Sequence, residues 1–278
     1  MTYSFALTKA LPEDSTLLKR GIFNSKNHRE AQRLAELIYK FVAESESIVH
    51  TDNYLKHPNI YVLDPILDWG NNWSYNYYAL NNLAESVFGF APKFTTTALG
   101  VFRGCFIWSD ELVVKVAKYK ESCLQNLIEG ELFAKYPEAT PEVYFVDPYG
   151  RFLIVENLSK TMGPYNFIKA IDNNEDFLQY TRVNHSLAQT FKLLSIFLSR
   201  SKESRDKHKR SYIYKLTQSD TVKAVTDLVD AFPQVSKDLH EENVAIRNGK
   251  LLLTDLCGQA FCKDEILSKF PHITPFIY

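Results

Sequence analysis

The chain has 278 residues, of which 45% are hydrophobic, 14% aromatic and 23% charged, with 10 Gly, 11 Pro and a formal charge of −1. That balance excludes collagen-like, low-complexity and intrinsically disordered chains, and it argues against nucleic acid as the main partner. The length allows two lobes, or one domain with an extension. No unbroken apolar run approaches the roughly 20 residues of a membrane span, and MTYSFALTKALPEDS carries no basic-then-apolar leader, so a cytoplasmic protein without a membrane partner is expected. The cysteines, Cys105, Cys123, Cys257 and Cys262, form no CxxC pair and read as reduced structural thiols.

Residues 1–95 are expected to form a helical and aromatic extension. Within it HREAQRLAELIYKFVAE repeats apolar residues at Ala31, Leu34, Ala35, Ile38, Phe41 and Val42, the rhythm of an amphipathic helix. The aromatic stretch from Tyr54 to Phe90 has no Lys or Arg between Lys56 and Lys93, so it suits core packing or a partner surface rather than base stacking.

From about residue 96 the pattern changes to short apolar runs. TTTALGVFRGCFIW, ELVVKVA, EVYFVD and RFLIVEN read as strands, the last two joined by a turn at Asp147-Pro148-Tyr149-Gly150, with ESCLQNLIEGELFAKY as an inserted helix. Two long helices are expected at 176–199 and 211–232. A unit of five strands and one helix followed by a helical unit is the order of a bilobal α+β enzyme. The connecting RSKESRDKHKR holds six Lys or Arg and two acids, which suits a solvated helix end or a docking face for an acidic partner.

The most informative segment is KDLHEENVAIRNGKLLLTDLCG, 237–258. Two apolar runs flank Asn248-Gly249, a strong hairpin signal because both residues tolerate positive φ. A turn centred there sets Asn243 opposite Thr254 and beside Asp255, so two oxygen ligands converge at the open end of the hairpin. Such a pair suits a hard cation like Mg²⁺, which shares its remaining ligands with water and phosphate. Asp238 stands five residues before Asn243, a D-x-x-x-x-N spacing that resembles the catalytic loop of kinases, where the Asp accepts or orients the acceptor hydroxyl proton.

A phosphoryl-transfer site also needs a cation for the phosphates. In ELVVKVA, alternation sets Leu112, Val114 and Val116 on one face, and Val113, Lys115 and Ala117 on the other. Lys115 then needs a carboxylate partner, unless the strand lies at an edge and the side chain reaches water. On the following helix the stripe Leu124, Leu127 and Ile128 turns Glu131 inward and Glu129 outward, so Glu131 is expected to anchor Lys115; Phe133 falls off this stripe. Gly100 is carried as a candidate of a glycine-poor phosphate-covering loop. Val113, on the lysine's face, and the backbone groups of Glu156 and Leu158, in a hinge after RFLIVEN, complete the nucleotide candidates.

Strand lysine, helix glutamate, apolar strand into a hinge, D-x-x-x-x-N, hairpin and Asp before Gly, in this order over roughly residues 96–260, resemble the protein-kinase-like superfamily. PEVYFVDPYGRFLIVENL followed by KDLHEENVAIRNGKLLLTD looks like the early serine/threonine kinases of short-tailed lytic bacteriophages. The resemblance implies a bilobal α+β fold with a nucleotide lobe over 96–158 and a minimal catalytic lobe over 159–278. It also implies ATP and Mg²⁺ as cofactors, and phosphorylation of bacterial host proteins in the host cytoplasm. Lys115 and Asp238 would be the catalytic residues, Asn243 and Asp255 the metal ligands.

The chain departs from the superfamily pattern in three places. Ser236-Lys237-Asp238 stands for H-R-D, with a histidine at position 240 instead. Asp255-Leu256-Cys257-Gly258 stands for D-F-G, and only 23 residues follow Asp255, with no A-P-E segment. An activation loop under phosphorylation control is therefore not expected, and the acceptor platform is expected elsewhere, such as the N-terminal 95 residues. Two alternatives stay open: a small-molecule kinase of the aminoglycoside or choline type, and a kinase-shaped protein that inhibits a host machine by contact.

Overall fold

A computed structural model describes residues 26–44, 103–117, 120–162 and 186–256, with the isolated positions 166 and 268. They form a mixed α+β protein in two compact units. The described residues up to Ala134, with Val143–Asn157, make the first; Lys135–Glu142 and those from Leu158 onward make the second. Gly100 and the presumed fifth strand before residue 103, the aromatic stretch 54–90, Cys257 and Cys262 lie outside the described residues. Cys105 and Cys123 are both half-buried.

The first unit is built on a four-stranded antiparallel sheet of β1 (Arg103–Ile107), β2 (Leu112–Ala117), β3 (Val143–Val146) and β4 (Phe152–Glu156), in the order β1-β2-β4-β3. Its strands are the apolar runs of the sequence. β2 is internal, paired with β1 on one side and β4 on the other, so Lys115 does not stand at a sheet edge. Burial extends over nearly the whole of β2, as in a strand covered on both faces.

One cover is α1 (Lys26–Glu44), where the side chains of Phe41 and Val42 lie outside the described residues; its Ala31, Leu34, Ala35 and Ile38 form a buried stripe on the predicted face, with Leu37 buried beside it. They pack with Phe106, Val114, Val116, Phe152 and Ile154, which share the sheet face opposite to Lys115. This helix, from the stretch set apart by sequence as an extension, thus closes the core of the sheet. The other cover is α2 (Lys120–Lys135), lying over the Lys115 face.

The turn between β3 and β4 ties both covers together. Asp147 is fully buried; its Oδ2 accepts from the backbone N–H of Tyr149 and Arg151, both at 3.0 Å, and from Arg151 Nε at 2.9 Å. Its Oδ1 accepts from the Tyr39 hydroxyl of α1. On the other side, Gly150 (φ 72°) comes so close to α2 that a Cβ there would lie 2.1 Å from the carbonyl oxygen of Cys123. A side chain at that position is excluded by both conformation and space.

The second unit holds α3 (Leu187–Leu198), α4 (Lys202–Asp206), α5 (Tyr212–Gln218), α6 (Lys223–Ala231), a 3₁₀ turn (Pro233–Asp238) and the hairpin β5 (Val244–Arg247) with β6 (Lys250–Leu253). The single helix expected over 211–232 is broken in two. Ser219 leaves helical backbone (φ −67°, ψ 151°), and the Thr221 carbonyl accepts from Leu251 N at 2.7 Å instead of continuing a helix. The basic connector is not wholly solvated either: Ser201 caps α4, and Arg205 is buried, paired with Asp230 and donating to the Leu198 carbonyl at 3.2 Å. No described helix is long and apolar enough to cross a membrane.

Burial first, and then the negative charge of Asp147, raise the Tyr39 phenol above its ordinary value of 10.0. A raised acid of this kind stabilises the fold fully below pH 10 and progressively less as the pH rises beyond it. Tyr39→Phe is therefore expected to lower unfolding free energy at pH 7 by about 1.5–3 kcal/mol, the range for a hydrogen bond to a charged group. In urea titrations the gap between wild type and variant should narrow above pH 10.

Candidate functional site

Two clusters of polar side chains gather the predicted site residues, one in each unit. In the first unit the strand register decides which charges meet. Cys105 pairs with Lys115 and Arg103 with Ala117, so Arg103 and Lys115 project from the same sheet face as diagonal neighbours. Glu129 of α2 lies between them. Lys115 Nζ donates to Glu129 Oε2 at 2.9 Å, Arg103 Nη2 donates to Oε1 at 2.9 Å, and Arg103 Nη1 lies 2.8 Å from Oε2.

All three groups are inside: Glu129 is 0%, Arg103 4% and Lys115 6% exposed. Charges so far from water persist only with close partners and satisfied hydrogen bonds. Asn126 extends the network, its Oδ1 accepting from Arg103 Nη1 at 3.3 Å and its Nδ2 donating to the Gly150 carbonyl at 2.8 Å. The Lys115 ammonium also stands 5.4 Å from the centre of the Phe133 ring.

The partner of Lys115 is thus Glu129, not Glu131. The apolar stripe misleads because α2 is buried all round its second half: Leu127, Ile128, Leu132, Phe133 and Ala134 are all buried, and Glu131 itself is 3% exposed, while Leu124 is only half-buried. Glu129 and Glu131 stand about 200° apart on such a helix. Phe133, the residue off the stripe, marks the sheet-facing side together with Asn126 and Glu129 at helical spacing. Sequence reasoning missed Arg103 and Asn126. A second cation at even spacing in the neighbouring strand is the signal that could have found Arg103.

In the second unit, Asn248 (φ 53°) and Gly249 (φ 76°) take the positive φ that a two-residue turn requires. The register follows the predicted centre, from Arg247 opposite Lys250 to Val244 opposite Leu253, and the Thr254 N–H donates to the Asn243 carbonyl at 2.9 Å. The hairpin is held in place by backbone bonds, Leu253 N donating to the Ala139 carbonyl at 2.8 Å and Leu251 N to Thr221. Ala245 and Leu252, on one face, pack on Leu158.

Asp238 ends the 3₁₀ turn, and the loop to Asn243 closes on itself. The Asn243 N–H donates to the His240 carbonyl at 3.0 Å, and its Nδ2 to the Asp238 carbonyl at 3.2 Å. The His240 ring accepts from Glu242 N at 3.3 Å, while Ser195 Oγ of α3 grips the Ser236 carbonyl at 2.6 Å. Ser195 thus supports the backbone two residues before Asp238. The Asn243 amide nitrogen is thus spent on the loop. Asp238, Asn243 and Asp255 are all half-buried.

Among the described residues no group of three or more His, Cys, Asp and Glu could cage a metal. An amide oxygen and a carboxylate at the end of a hairpin instead suit a hard cation completed by water and phosphate. Of the other nucleotide candidates, Val113 is half-buried on the Lys115 face, Glu156 ends β4 opposite Leu112, and Leu158 belongs to the second unit.

The geometry therefore defines an α+β protein with a buried strand-lysine and helix-glutamate pair in one unit and an Asp-Asn loop with a polar-ended hairpin in the other. Comparison with protein-family models and with curated proteins finds no match.

Removing the carboxylate leaves two buried cations without their shared counter-charge. Glu129→Gln should lower unfolding free energy by about 3–5 kcal/mol in denaturant titrations. Adding Lys115→Met to it should recover part of that loss.

Proposed function

We propose that this chain is an ATP- and Mg²⁺-dependent phosphotransferase of the protein-kinase-like type, with serine or threonine hydroxyls of bacterial host proteins as acceptors. The observation that carries the reading is the buried Lys115–Glu129 pair at 2.9 Å, because a desolvated lysine held by a helix carboxylate on an internal strand is the arrangement that meets nucleotide phosphates in such enzymes. The self-closed loop from Asp238 to Asn243 and the hairpin that brings Asn243 toward Asp255 support it from the second unit. A kinase-like fold and a cytoplasmic location belong to the same proposal.

Lys115 would hold phosphate oxygens while Glu129 fixes its position. Asn243 and Asp255 would hold Mg²⁺, which when bound neutralises charge on the phosphates. Asp238 would orient the acceptor hydroxyl and take its proton as the oxygen attacks the γ-phosphorus and ADP leaves with the bridging oxygen. Catalysis of this type is placement and charge stabilisation, so the loss of one contact is severe.

Asp238→Asn and Lys115→Met should each reduce transfer of label from γ-labelled ATP into bacterial lysate protein by at least 100-fold, with circular dichroism unchanged. Label transfer at the wild-type rate by either variant would remove that residue from the site. Label that enters only small metabolites would redirect the proposal to a small-molecule kinase.

A further inference from the structure

We infer that Arg103 is a positioning residue for polyphosphate binding, acting through Glu129 on Lys115. The inference rests on the phosphotransferase reading of Lys115 and goes beyond it, since the strand-lysine and helix-glutamate pattern contains no second cation.

Three observations carry it. Both guanidinium nitrogens Nη1 and Nη2 are spent on Glu129 and Asn126, so Arg103 grips the carboxylate from a second strand rather than reaching a ligand itself. Glu129 Oε2 is shared between Lys115 Nζ at 2.9 Å and Arg103 Nη1 at 2.8 Å, so one negative charge is divided between two buried cations. Asn126 ties Arg103 to the Gly150 carbonyl, and so to the turn that anchors α2 against the sheet.

Two effects follow for an anion that approaches Lys115. With Glu129 drawn toward Arg103, the ammonium is only partly neutralised and keeps attraction for phosphate, which a buried site with little screening makes strong. The carboxylate is also held by β1 as well as β2, so α2 cannot swing away and carry Glu129 off Lys115. In kinase-type sites that swing is a control point. Here the Arg103 grip keeps the pair assembled without any modification.

If Arg103 is removed, Glu129 closes on Lys115 alone and the phosphate attraction falls, while contacts to the adenine and ribose do not change. The test is calorimetric titration of the wild type, Arg103→Gln, Arg103→Lys and Lys115→Met with adenosine and with the Mg²⁺ complex of a non-hydrolysable ATP analogue, alongside thermal unfolding. Arg103→Gln should weaken the analogue at least tenfold and adenosine less than twofold. Arg103→Lys, which keeps the charge and loses the forked grip, should weaken the analogue about threefold.

A folded Arg103→Gln that binds the analogue like wild type, while Lys115→Met does not, would overturn the role of Arg103 alone. Equal weakening of adenosine and analogue would also overturn it, as the mark of a merely structural residue. Should Arg103→Gln fail to fold, wild-type analogue affinity in Arg103→Lys overturns the proposal. A wild type that binds neither ligand would instead remove the phosphotransferase reading beneath it.

Discussion

A single carboxylate shared by two buried cations sets the terms for the first unit. Glu129, wholly inside, meets Lys115 and Arg103 from adjacent strands and is the shared counter-charge of both buried cations. That sharing fixes the rotation of α2 about its axis and the register of β1 on β2, since a slip of one residue would turn Arg103 to the opposite face. Asn126 then carries the constraint to the β3–β4 turn, where Asp147 gathers Arg151 and the Tyr39 hydroxyl of α1. A chain of polar contacts thus crosses the sheet from one covering helix to the other.

The second unit obeys a different constraint. Its polar residues sit at the end of a two-residue hairpin and in a short loop, where position comes from the backbone rather than from buried charge. Asn243 is held by its N–H, its amide and its carbonyl at once, which leaves it little freedom. Pre-set polar groups on rigid supports are what a reaction dependent on placement needs.

Much of this was legible in the sequence, and the parts that were not have physical reasons. Asn248-Gly249 specifies a turn by backbone sterics alone, so the hairpin and its register could be read from two residues. The α1 stripe was equally clear, because that helix buries one face only. α2 was not, because a helix buried nearly all round carries no hydrophobic asymmetry to orient it, and so Glu131 was favoured over Glu129. Arg103 was hidden for a related reason: a lone arginine in an apolar strand reads as an exception until register shows that it shares a face with Lys115. The break within 211–232 depends on Thr221 accepting a bond from the distant Leu251, which no local pattern announces.

The central claim is the proposal that this chain binds a nucleotide together with a divalent metal ion. Electron paramagnetic resonance of Mn²⁺ with a non-hydrolysable ATP analogue tests it most directly, because the spectrum reports whether metal and nucleotide are held together by protein. The account predicts an immobilised Mn²⁺ signal that needs the nucleotide and disappears both in Lys115→Met and in Asp255→Asn. A signal that survives both substitutions, or no immobilised signal in the wild type, would contradict it.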